Sequence, residues 1–168
     1  MGYNWRGTLT DYSQISGVLA GFCLALIVFV LGWKVSDTIV LYNLTYGEVS
    51  VLIIGIAAGL YIAAMEFFLS AKGFDLWALS EEYQTELKVR NELSNEEWMT
   101  ARTKVDETCE RYDNFGRYCF NVAMFLIFLG ISVVIAPFNF TIAIVVGVFG
   151  ILLEVSQIIY FKLLNRKL

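Results

Sequence analysis

Apolar and polar positions do not alternate along this chain; they fall into blocks. Four runs are almost wholly apolar: Ile15–Trp33, Val49–Leu69, Tyr118–Ala136 and Phe140–Phe161. Each is 19 to 22 residues long, and an α-helix needs roughly 20 to cross the hydrocarbon of a bilayer. Strands of a membrane barrel would be shorter and would alternate. The pattern therefore predicts an all-α integral membrane protein with four transmembrane helices. The only proline, Pro137, sits in "PFN" between the last two runs, where its ring and missing N–H end a helix and predict a tight turn.

The long polar stretch lies between the second and third runs, and it keeps a helical rhythm. Leu76, Leu79, Tyr83 and Leu87 recur at three and four residues, and Trp98, Val105, Tyr112 and Cys119 every seven. Ser94 followed by Glu97 is a capping box that starts a new helix. The stretch reads as a helical hairpin, Asp75–Glu92 and Asn95–Arg117, that extends spans two and three, with a bend expected at Gly73. The expected layout is an N-terminus over 1–14, spans one and two within 15–70, the hairpin over 71–117, spans three and four within 118–161, and a tail over 162–168.

Charge then orients this layout. Of the 12 Lys and Arg residues, only Lys34 falls in an expected outer loop; the others are Arg6, seven between Lys72 and Arg117, and Lys162, Arg166 and Lys167. Cytoplasmic flanks retain the basic residues, so both termini and the hairpin are expected in the cytoplasm, with the plasma (cytoplasmic) membrane as location. Trp33, Tyr42 and Tyr46 would mark the outer interface, and Tyr12, Trp77, Tyr118 and Tyr160 the inner one. Two Asn-x-Thr sequons, Asn43 to Thr45 and Asn139 to Thr141, then fall outside and read as chance occurrences. The hairpin carries seven basic and eleven acidic residues, and the whole chain a net charge of −4. That excess argues against nucleic acid as a partner and against tight binding to an anionic leaflet. The hairpin is read as a solvated tie between two spans, with a docking surface as the alternative.

Composition removes most chemistry. Apolar residues make up 58% of the chain, against ~45–50% in soluble domains. There is no histidine, so the commonest general base and metal ligand are missing. No phosphate-binding loop, kinase signature or nucleophile elbow occurs, and every Asp lies outside the four runs. Cys23, Cys109 and Cys119 form no CxxC pair. No enzymatic activity, cofactor or metal is expected.

Small residues remain as candidate contacts, because helices in lipid meet through close packing. Ser13, Gly17, Gly21 and Ala25 form one stripe, and Gly55, Gly59, Ala63, Glu66 and Ser70 a second. A third runs Ala143, Gly147, Gly150, Glu154 and Gln157. Two stripes carry a carboxylate. Glu66 lies about seven residues from the middle of its span and Glu154 about four, or roughly 10 and 6 Å at 1.5 Å per residue, with Asn121 in the same half of the third span. Glu66, Asn121, Glu154 and Gln157 are the candidate ion or polar cluster. Three readings stand: polar groups bonded to each other or to Lys72, Arg117 or Lys162; a cation or proton site; or carboxylates wetted at the headgroups.

No family motif is present. The plan alone resembles that of oligomeric channels such as the Orai-type and connexin-like families, which would imply an ion path. The first span has no acidic residue and the outer loops no cysteine, which departs from both. The expected function is a non-catalytic integral membrane subunit with a structural or assembly role, its partners being the bilayer and other membrane subunits or copies of itself. The alternative is an oligomeric ion channel or ion-coupled protein using Glu66 and Glu154.

Overall fold

The computed structural model describes residues 5–32, 39–41, 44–79 and 95–165. These residues form four α-helices: α1, Trp5–Gly32; α2, Tyr46–Leu79; α3, Asn95–Ile135; and α4, Phe140–Asn165. A short antiparallel ribbon, β1 (Ile39–Leu41) and β2 (Leu44–Thr45), precedes α2. The ribbon was not anticipated by the block pattern, being shorter than any periodicity can register. Trp33, Lys34, Tyr42, Asn43, Ser94 and the hairpin beyond Leu79 as far as Glu92 lie outside the described residues.

Three helical stretches are long and apolar enough to cross a membrane: Asp11–Gly32, Tyr46–Gly73 and Thr103–Ile135. In α4 the apolar stretch Phe140–Ser156 is shorter. Outward-facing Val18, Val28, Leu52, Val145 and Leu152 are all large, apolar and exposed, as expected of helices whose solvent is lipid.

Local chemistry explains the helix ends. Thr45 and Glu48 make a reciprocal capping box at the start of α2: the Thr45 N–H donates to Glu48 Oε2 (2.8 Å), and the Glu48 N–H to Thr45 Oγ1 (3.3 Å). Between α3 and α4 the turn at Pro137 forms as expected. The N–H groups of Phe138 and Asn139 both donate to the Ile135 carbonyl, and the Ile142 N–H donates to Asn139 Oδ1 (3.1 Å), which caps α4. Gly73, expected at a bend, lies inside the unbroken helix α2. A lone glycine lowers helix propensity by only about 1 kcal/mol, too little to end a helix of this length.

The chain forms two compact units, one of Met1–Gly17 with Ile62–Tyr118, the other of Val18–Tyr61 with Cys119–Leu168. In the first, the Tyr12 ring stacks on Phe68 (centroids 5.4 Å apart) and lies under the Arg117 guanidinium (5.2 Å). Phe67 packs on Tyr112 and Phe115, and Cys109 Sγ donates to the Ala71 carbonyl at 3.5 Å. In the second, the α3 segment is the most enclosed element: no residue from 119 to 137 is exposed. Ser50 Oγ donates to the Gly130 carbonyl (2.9 Å), joining α2 to α3, and Ser132 Oγ donates to the Ala143 carbonyl, joining α3 to α4.

The packing follows a seven-residue rule. On α2 the fully buried residues are Ser50, Ile54, Ala57, Tyr61, Ala64, Phe68 and Ala71, spaced alternately by four and three. On α3 the buried small residues Cys109, Gly116, Ala123 and Gly130 recur every seven. In each unit residue numbers on α3 fall as those on α2 rise, so the two segments pack antiparallel as knobs into holes.

Candidate functional site

The stripe on α4 is an internal contact. Ala143 and Gly150 are buried and Gly147 is half-buried. A methyl group built on Gly150 would lie 2.5 Å from Phe128 Cβ, and one on Gly147 3.3 Å from Ser132 Oγ. Helix α4 thus lies close against α3, an approach that small residues permit. Glu154 continues this inward edge and is half-buried. Gln157 lies one turn further along α4.

Four of this unit's polar side chains bear on a candidate site. Tyr61, on α2, is completely buried, its ring edge-on to Phe120 of α3 with centroids 5.4 Å apart. Its hydroxyl is buried without a hydrogen-bond partner among the described residues. Cys23 of α1, also fully buried, and Glu154 of α4 are its electrostatic neighbours. Asn121 of α3 is half-buried in the same unit. A phenol donates and a carboxylate accepts, so Tyr61 and Glu154 are chemically matched. Among the described residues no three His, Cys, Asp or Glu side chains converge as metal ligands would.

Glu66 belongs to the other unit, and its surroundings differ. It is exposed, on the face of α2 opposite the buried series. With Leu52, Ile56, Gly59, Ala63, Ser70 and Gly73 it forms a second run spaced by four and three. Gly59 is open: a methyl there would meet nothing within 4 Å among the described residues, and the same holds at Gly73. Glu66 has no hydrogen bond or ion pair among the described residues. Of the expected cationic partners, Arg117 gives its Nε to Asp113 Oδ2 at 2.8 Å. Comparison with protein families, with curated proteins and with solved structures finds no match to this chain.

The packing glycines divide similarly. Gly17 meets Met65 Sδ (3.3 Å from a built methyl), and Gly55 meets Ile27 (4.0 Å), whereas Gly21 faces open space. The glycines that approach a neighbour most closely within α3, Gly116 and Gly130, were not singled out from the sequence. A methyl on Gly116 would lie 2.7 Å from Phe68 Cε1, and one on Gly130 2.6 Å from Ile54 Cγ1. Their fourteen-residue separation, with Ala123 midway, was the available signal. The GxxxG pairs masked it, because they look for spacing four rather than seven. Tyr61 was missed for another reason: a lone tyrosine between apolar neighbours reads as core.

Proposed function

We propose that this chain is a non-catalytic integral membrane subunit that assembles with other membrane-spanning helices through the outward face of α2. The observation that carries this reading is the exposure of Glu66. It lies roughly 10 Å from the centre of the Tyr46–Gly73 stretch, inside a hydrocarbon layer whose half-thickness is about 15 Å. A charge at the bilayer centre costs about 2.5–3.5 kcal/mol, and less toward the interface. Lipid tails offer it no donor, so a protein neighbour stabilises it best. Gly59, one heptad away, leaves room for a close helix. In this reading α4 is a fourth span, both termini and the α2–α3 extension are cytoplasmic, and the protein resides in the plasma membrane.

Native mass spectrometry of mildly solubilised membranes tests the proposal. The chain should travel with other membrane chains or with copies of itself, and Gly59→Leu should release it as a folded monomer on a sizing column. A wild-type chain that runs only as a monomer would sink it.

A second reading, ion conduction or ion coupling, is favoured by the Tyr61, Cys23 and Glu154 neighbourhood. It requires Glu154→Gln to abolish cation flux in reconstituted vesicles while the protein stays folded. Unchanged flux removes it.

A further inference from the structure

Resting on the assembly reading above, we infer that the outward seam of α2 takes a membrane-spanning helix bearing one lysine or arginine level with Glu66. Three observations carry this. The Glu66 carboxylate is exposed and has no partner among the described residues. The residues one heptad to either side, Gly59 and Gly73, are glycines beside which no described residue lies within 4 Å, so a neighbouring helix can approach closely and lay a long basic side chain along the groove. And α2 already packs by this rule on its other face, where Ser50, Ile54 and Tyr61 meet α3.

Charge decides between occupants. Copies of one chain sit in a membrane with the same orientation, so two seams meeting across a two-fold axis run parallel. Glu66 of one copy would then face Glu66 of the other at equal depth, carboxylate against carboxylate. A foreign helix has no such constraint. A cation satisfies the carboxylate with a charge-assisted hydrogen bond, and burying the two together removes both from lipid. The required position is defined: about 10 Å from the span centre, on the side of the α2 carboxyl end.

The test uses the full chain in lipid nanodiscs, labelled for energy transfer, with synthetic Leu/Ala helices of about 20 residues. One helix carries lysine at the matching depth, one carries it in the opposite half, one carries glutamine at the matching depth, and one has no polar residue. The matching lysine helix should bind about tenfold more tightly than the apolar one. Glu66→Gln should remove that preference, and Glu66→Lys should transfer it to a helix bearing glutamate at the same depth. Because Glu66 is exposed and makes no hydrogen bond or ion pair among the described residues, both variants should retain parental helicity and sizing behaviour. Equal binding of all four helices by the parent overturns the inference. So does Glu66-dependent pairing of two copies that outcompetes the lysine helix, although that result leaves the assembly reading standing. Binding of no helix, with no self-pairing, overturns both.

Discussion

Gly130→Ala is the sharpest test of how α2 and α3 are fitted. The new methyl would fall 2.6 Å from Ile54 Cγ1, 3.3 Å from Ile54 Cδ1 and 3.6 Å from Ile53 Cγ2. Carbon pairs settle at about 3.5–4.0 Å, so the closest contact is short by about 1 Å. Ile54 cannot yield, because it is fully buried and Cγ1 is fixed near its branch point. The two helix segments must therefore part by a similar distance. That displacement stretches the 2.9 Å bond from Ser50 to the Gly130 carbonyl beyond hydrogen-bonding range. Overpacking costs about 1–3 kcal/mol, and a lost interhelical hydrogen bond about 0.6. Alanine's better helix propensity returns up to about 1 kcal/mol. The net expectation is a loss of about 2 kcal/mol, or roughly thirtyfold in the folded-to-unfolded ratio. Reversible unfolding in mixed detergent–lipid bicelles, followed by circular dichroism, measures it. Gly59→Ala is the control: its methyl meets nothing, so the fold should be unchanged or slightly firmer. Parental stability for Gly130→Ala, or equal losses at both positions, would refute the α2–α3 seam.

Other expectations follow from single contacts. Tyr61→Phe removes a buried hydroxyl that has no partner among the described residues, so stability should stay level or rise by about 1 kcal/mol; a clear loss would show that the hydroxyl is engaged. Asn139→Ala removes the cap from the Ile142 N–H and should cost about 0.5–2 kcal/mol, measured by the same unfolding assay. For the inner side Thr103, which is exposed, is a better site than Cys109, which is buried and would resist labelling from either side. Cysteine at position 43 should react with an impermeant maleimide on intact cells, whereas Thr103→Cys should react only after permeabilisation. The opposite pattern would invert the proposed topology.

The apolar blocks made the helices, and three stretches long and apolar enough to cross a membrane, legible in the sequence, because block length can be compared directly with bilayer thickness. The turn at Pro137 was legible for an equally local reason. Which face of each helix packs was legible only on α4, where Ala143, Gly147 and Gly150 are also the smallest residues available. On α2 the buried series includes Tyr61 and Phe68, which no search for small residues would choose. They fit because α3 supplies the small residues opposite Phe68, at Gly116. Complementarity of that kind belongs to a pair of helices and cannot be read from one. The two glutamates show the same limit: sequence spacing places both at similar depth, and only packing reveals that Glu154 turns inward and Glu66 outward.

The brevity of the connection between α3 and α4 has a consequence for the order of folding. The bond from Ser132 to Ala143 closes a loop of 11 residues, whereas that from Ser50 to Gly130 closes one of 80. Loop-closure entropy grows as (3/2)RT ln n, so the longer closure costs about 1.8 kcal/mol more. Contacts near in sequence also form earlier. The α3–α4 hairpin is therefore expected to assemble first and to serve as the template on which α2 is later docked. Time-resolved cysteine protection should then appear at Ser132 before it appears at Ile54, and a destabilised α2 should leave a populated intermediate in which only the hairpin is closed.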